Sequence, residues 1–522
     1  MRRYRAVLLI FALHAACTAE PETGLATRYD WLIAGGTVVN GSGEAAQRAD
    51  VLLRDGRIAF VGQLDEDTIA VRDRFDATGL IVAPGFIDAH AHGDPVGAPR
   101  FPNFLAMGVT TIVLGQDGGG PQASGLSAHM DSVDAAHPSV NVAYLVGHNT
   151  IRRESGVGFD EAGEEGLARM AALVAQGIEA GAFGLSTGLE YDPGSRASAD
   201  ELAAIAVPVA AADGVVSSHL RSEDADRIAP ALEELIEQAR RSGARVHASH
   251  LKIVLGNDLS AAAGLLEAMD AARAQGVEIT GDVYPYTASY TGIGILFPDW
   301  AKAPNDYTTV VGERREELAA HLRARVESRN GPEATLFGSS EWAGRTLAEV
   351  AAETGQPFED VLIDLGPGGA SAAYFVMDEG VMAALLSDPN IVVSSDGSPT
   401  MLHPRGHGAF PRVLRQYAID GVQFTLEEAI HKMSGLTARI FRLDDEARVD
   451  VPRGQVREGW AADVIVFEPS EVRDPASFGD PHRLAEGMHA VFVGGEPGWL
   501  NGAPTPGDGH GRALRSLSAN ND

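Results

Sequence analysis

Eight short apolar segments, at 81–87, 110–114, 142–146, 182–185, 215–218, 245–248, 278–282 and 391–394, alternate along the chain with stretches of helical periodicity. The periodicity is clearest at 166–178, where Leu167, Met170, Val174 and Ile178 share one face, and at 231–239 and 426–440. Strands alternating with helices predict an α/β fold in the form of a (β/α)8 barrel. The stretch 284–390 is too long for a simple connection, and its helical segment at 314–326 predicts a lid or insertion.

Both ends of the barrel region carry a different pattern. Short alternating segments at 31–34, 37–40, 49–53 and 57–61 are separated by Gly-Gly, Asn-Gly and Asp-Gly pairs, which are hairpin signals. Matching segments at 459–467 and 490–493 lie near the other end, so a small β-sandwich domain built from both chain ends is expected. The predicted organisation is therefore a leader and linker at 1–27, sandwich parts at 28–85 and 445–505, the barrel at 86–444 with its insertion, and a tail at 506–522.

The leader reads MRRYRAVLLIFALHAAC, with Arg2, Arg3 and Arg5 ahead of an apolar run at 6–13. That is a signal-peptide pattern, too short to span a bilayer as a mature helix. The chain's single cysteine, Cys17, stands where a bacterial lipoprotein carries its lipidated residue, although His14 departs from the usual apolar residue three positions earlier. An extracytoplasmic protein, periplasmic or lipid-anchored through Cys17, is expected. One cysteine excludes a disulfide within the chain. The net charge of −31 opposes binding to nucleic acid or anionic lipid through a general basic surface.

The chemistry concentrates where the apolar segments end. After Asp88, His90 and His92 follow on alternate positions, so both imidazoles can face one cation beyond a strand's carboxyl end. Asp117 follows the second strand in Gly-Gln-Asp-Gly, His219 ends the fifth, His250 the sixth, and Asp396 the eighth in SSDG. Each has a plain alternative: a core histidine, a turn former beside glycine, a helix cap. A parallel barrel brings all these ends to one mouth, and the joint placement is far more specific than any single motif.

Read in order, PGFIDAHAHGD, GVTTIVLGQDG, GAFGLSTGLEYDPG, SHLRSE, SHLK, DVYPYTAS, SSDG and HPRGHGAFPRVLRQY resemble the N-acyl-D-amino-acid deacylases (D-aminoacylases) of the amidohydrolase superfamily, across about residues 28–505. The resemblance implies a TIM-like metallo-dependent hydrolase barrel with its β-sandwich, zinc (Zn2+, one or two ions) as cofactor, and hydrolysis of an N-acyl bond on a D-amino acid. It implies His90, His92, His219 and His250 as metal ligands and Asp396 as the catalytic carboxylate. Where these relatives carry a cysteine ligand in a Gly-Asn-Cys-Gly turn, this sequence has Asp117. A carboxylate is a harder ligand than a thiolate, so manganese or cobalt is expected to compete better with zinc.

The metal would lower the pKa of a water and polarise the amide carbonyl, and Asp396 would move a proton from that water to the departing amine. Tyr191, Lys252, Tyr284 and Arg405 fall in loops around the mouth and match residues that such enzymes use for the substrate's α-carboxylate. Arg221 and Glu223 are expected to pair with each other, without a catalytic role. The segment 287–300 has no Lys or Arg but offers Ile293, Ile295, Leu296 and Phe297, so neutral or apolar substrate side chains are expected. A dipeptidase or cyclic-amide hydrolase of the same superfamily is the alternative, and a non-catalytic binding homologue a further one.

Overall fold

The protein is described by a computed structural model covering residues 28–65, 69–421 and 423–517. The leader pattern and Cys17 lie outside the described residues. Parallel strands β1 (Phe86–Asp88), β2 (Val109–Leu114), β3 (Asn141–Tyr144, continuing as Val146–Gly147), β4 (Gly184–Gly188), β5 (Val215–His219), β6 (Arg245–Ala248), β7 (Ile279–Val283) and β8 (Ile391–Val393) pair in chain order. The ring closes through a parallel bridge between Ala91 and Gly397. There His92 N donates to Gly397 O and Asp396 N to His90 O, both at 2.8 Å.

Burial explains why the strands are legible. Every residue of Val109–Leu114 is buried, because one face fills the barrel and the other meets the helices. The helix Glu164–Glu179 buries Met170, Val174 and Ile178 and leads with Glu164 and Glu165, where the helix dipole favours acids.

Two expected elements are each broken in two. The segment 81–87 crosses between sheets: Ile81–Pro84 pairs with Val464–Phe467, and only Phe86–Asp88 enters the barrel. Gly85 stands at the crossing, where a Cβ would lie 2.1 Å from Thr110 Oγ1. The helix expected over 426–440 is Leu426–Met433 and Gly435–Ile440, separated by Ser434 at φ −141° and ψ −83°. A Cβ on Gly435 would lie 2.2 Å from Gly41 O, so the break admits close packing on the 41 loop.

Strands from both ends of the chain form one nine-stranded sheet. Its joint is Ile81–Pro84, parallel to Arg28–Val38 on one side and antiparallel to Val464–Phe467 on the other. Gly35 and Gly36 do not make the expected turn but a bulge within Arg28–Val38, where the register shifts. The sheet curls until Ile58 N donates to Trp460 O and Ala462 N to Gly56 O. Ile33, Val51, Ile58, Val464, Val466 and Phe492 fill the space between its layers.

Between β7 and β8 lies an ordered subdomain. It contains the helix Tyr307–Glu327, an antiparallel sheet of Ser289–Gly292, Ser371–Tyr374 and Thr335–Phe337, and its own apolar core. The segment 509–517 packs on the barrel instead of trailing from it: Leu514 N donates to Val142 O and Ser516 N to Gly181 O.

Phe86 at the start of β1 stacks on Phe410 at 5.7 Å, and both are fully buried. Phe86→Ala is expected to cost about 3–5 kcal/mol through the cavity it leaves, read as a lower urea midpoint; an unchanged midpoint would contradict this packing role.

Candidate metal centre and active site

The carboxyl ends of the strands bring the sequence-selected residues together. Asp117 sits between two pairs of histidines. Its Oδ2 lies 3.5 Å from His90 Nε2 and from His92 Nε2, while its Oδ1 lies 3.1 Å from His250 Nε2 and 3.5 Å from His219 Nδ1. Asp396 Oδ1 is 3.2 Å from His92 Nε2 and 3.7 Å from His90 Nε2. Three groups of donors result among the described residues: His90, His92, Asp117 and Asp396 on one side, Asp117, His219 and His250 on the other, and Glu190, His219 and Glu223 beyond His219.

Three of these residues also stand in sparsely populated backbone conformations. Asp117, His250 and Asp396 have φ of 55°, 35° and 45°, a region that non-glycine residues rarely adopt. Buried carboxylates hold these turns in place. Asp88 accepts from the backbone N–H of His90 and of Ser395, and Asp282 accepts from His250 N and meets His247 Nε2 at 2.8 Å. Burial pushes the Asp88 carboxyl up to about 7, against the hydrogen bonds from Ser395 and His90.

The donor set fits a divalent cation. Both ring nitrogens of His90 are buried without a hydrogen-bond partner, a costly state that a cation at Nε2 would relieve. Imidazole nitrogens with carboxylate oxygens are a zinc-type set. The local field agrees: although burial disfavours its charge, His219 is pushed up to about 10 by Glu223, Asp117 and Glu190. Asp396 is held well below the usual carboxylate range, because Arg405, His250 and His92 outweigh the cost of burial.

A cavity of about 490 Å³ opens beside the centre and is lined by Tyr191, Lys252, Tyr284 and Arg405 as well as the centre's own residues. Arg405 begins the helix Arg405–Val413, and its Nη1 lies 2.9 Å from Asp396 Oδ2. The Tyr284 ring lies beneath two cations, 5.7 Å from Lys252 Nζ and 4.6 Å from Arg405 Cζ. Tyr191 packs its ring 4.5 Å from that of His219 and takes a hydrogen bond from Thr291 Oγ1.

Two expectations need correction. Arg221 does not pair with Glu223: it grips Glu234 at 2.8 Å and Ser195 O at 2.7 Å, while Glu223 turns inward to Lys252 and His250. The loop that carries both residues bends between them, so they serve different neighbours. Of the apolar residues in 287–300, Ile293, Leu296 and Phe297 fill the subdomain core, and only Ile295 lines the cavity.

Sequence reasoning gave no site role to Glu190, Glu223 and Arg329, all of which line the cavity. Glu190 Oε2 lies 3.2 Å from His219 Nε2, and its place beside Tyr191 in GLEY was the available signal. Arg329 arrives from beyond the subdomain's long helix, a distance in sequence that no local pattern bridges, and meets Asp224 at 3.2 Å.

Residues 73–497 match the amidohydrolase family. A D-aminoacylase of Alcaligenes xylosoxydans xylosoxydans is 34% identical over 517 residues, covering 94% of this chain and 98% of its own. The crystal structure of an N-acyl-D-glutamate deacylase from Bordetella bronchiseptica, complexed with zinc and a phosphonate inhibitor, is 30% identical, with a TM-score of 0.78 over 94% of this chain and 100% of that one. A D-aminoacylase structure that addresses the role of a binuclear metal centre is 32% identical, with a TM-score of 0.79 over 93% of this chain and 100% of that one. With a match spanning most of its length and a relative one-third identical almost end to end, this chain belongs to the amidohydrolase family.

Proposed function

We propose that this protein is a metal-dependent hydrolase that removes the N-acyl group from N-acyl-D-amino acids. The observation that carries the reading is Asp117 set between two histidine pairs, with Asp396 and the cations Lys252 and Arg405 on the wall of the same cavity. His90, His92 and Asp117 would hold one ion, with Asp396 beside it, and Asp117, His219 and His250 a second. Zinc bound there supplies Lewis acidity, which lowers the pKa of water and polarises an amide carbonyl. Asp117 is a harder donor than the thiolate of the relatives, which supports manganese or cobalt as functional substitutes.

The chain's own residues do the rest. Asp396 stays ionised under the influence of Arg405 and the histidines, so it can accept a proton from the attacking water and return it to the departing amine nitrogen. Arg405 orients that carboxylate through Oδ2 and leaves Oδ1 facing the centre. Lys252, with Tyr191 and Tyr284, offers the donors that a substrate α-carboxylate needs. Val254 and Ile295 line the same cavity, which supports neutral or apolar substrate side chains.

We further propose an extracytoplasmic location with a lipid anchor at Cys17. The reading rests on Arg2, Arg3 and Arg5, the apolar run at 6–13 and the position of the cysteine.

Three outcomes are expected. Chelator-stripped protein reloaded with zinc releases amino acid from N-acetyl-D-leucine and leaves N-acetyl-L-leucine intact; hydrolysis of dipeptides in preference to either would replace this reading. Asp396→Asn lowers kcat by about 10²–10⁴-fold while metal content measured by mass spectrometry is unchanged; wild-type turnover would remove Asp396 from its role. In a bacterial host, Cys17→Ala moves the protein from the membrane fraction to the soluble extracytoplasmic fraction, and unchanged fractionation would refute the anchor.

A further inference from the structure

Lys252 creates an electrostatic problem beside the centre. Its ammonium lies 2.9 Å from His250 Nδ1, on the same ring whose Nε2 faces Asp117 at 3.1 Å. An ammonium so close to a cation's ligand opposes the cation, and at the low effective dielectric of a buried site the opposition is strong. Glu223 occupies the third corner of this triangle, with Oε1 3.1 Å from His250 Nδ1 and 2.5 Å from Lys252 Nζ. All three groups are buried, with Glu223 only 6% exposed.

Hydrogen-bond roles are forced by the chemistry. When His250 Nε2 faces a cation, its proton is on Nδ1, and an ammonium offers donors only. The acceptor for both donors is therefore Glu223 Oε1. Its position is fixed by the backbone: Val254 N donates to Glu223 O and Ala225 N to Val254 O, which zips the loop after β5 to the loop after β6. His219 has its own carboxylate, Glu190, but Lys252 donates to Glu223 and not to Glu190.

We propose that Glu223 is a positioning and charge-compensating residue, which lets a substrate-binding cation stand directly against the metal site. It orients the His250 ring and cancels the charge of Lys252, so that the carboxylate of the substrate and the metal can be held a few atoms apart. The proposal rests on the metal-dependent deacylase reading for the purpose of Lys252, but the charge compensation itself concerns metal affinity alone.

A double-mutant cycle on zinc affinity, measured by competition with a fluorescent chelator on the full-length protein, tests it without turnover. Glu223→Gln is expected to weaken zinc binding at one site by about 10–100-fold. Lys252→Met is expected to tighten it, since Glu223 then faces His250 uncompensated. The combined variant should return to within about threefold of wild type, because the two positions share one interaction. Wild-type affinity in Glu223→Gln overturns the proposal, as does a combined variant no better than Glu223→Gln, which would leave orientation of the ring alone. Thermal melting identifies a misfolded Glu223→Gln; in that case Lys252→Met alone decides, and unchanged or weaker zinc binding overturns the proposal. Failure of wild-type protein to hydrolyse N-acetyl-D-leucine would count against the deacylase reading and leave the zinc affinities, and the charge compensation they measure, untouched.

Discussion

Closure of the barrel between β8 and β1 is the constraint on which the centre depends. The two hydrogen bonds that make it, Asp396 N to His90 O and His92 N to Gly397 O, run through the backbone of Asp396, His90 and His92, whose side chains face the cations' place, and of Gly397 beside them. Seam and site are thus one structure. A shift in the register of β8 would move Asp396 relative to both histidines at once, and Asp88, bridging the N–H groups of His90 and Ser395, resists that shift from below.

The centre gathers more like charge than a protein interior tolerates unaided. Asp117, Asp396, Glu190 and Glu223 stand together with Lys252 and Arg405 along one cavity. Three of these carboxylates are shared by partners of opposite demand: Asp117 by two histidine pairs, Asp396 by histidines and Arg405, Glu223 by His250 and Lys252. Removing one member leaves a buried charge without its counterpart, which is the costly case. The positive φ values of Asp117, His250 and Asp396 are a further cost, sustained because the surrounding strands and buried carboxylates determine these turns.

Legibility followed burial. Strands buried on both faces read as apolar runs, and the histidines and Asp396 stood out because polar residues follow those runs directly. The segment 81–87 looked like one strand because both halves are apolar, and only the crossing at Gly85, dictated by Thr110 on a neighbouring strand, divides it. The helix over 426–440 kept its periodicity across Ser434, since the break answers to the distant Gly41 loop. The apolar run at 293–297 was visible as apolar, but whether it faced substrate or a core depended on the subdomain packed behind it.

By itself the sequence determined the barrel, the sheet contributed by both ends, and the set of groups delivered to the mouth, because alternation of apolar strands and helices fixes where each strand's carboxyl end must lie. Only the tertiary structure decided which of those groups touch: that Asp117 divides its two oxygens between two histidine pairs, that Arg405 holds Asp396, and that Glu223 abandons Arg221 for Lys252 and His250. The physical reason is that hydrophobic patterning is local and repeats along the chain, whereas the pairing of buried charges depends on distances of a few ångströms between loops far apart in sequence.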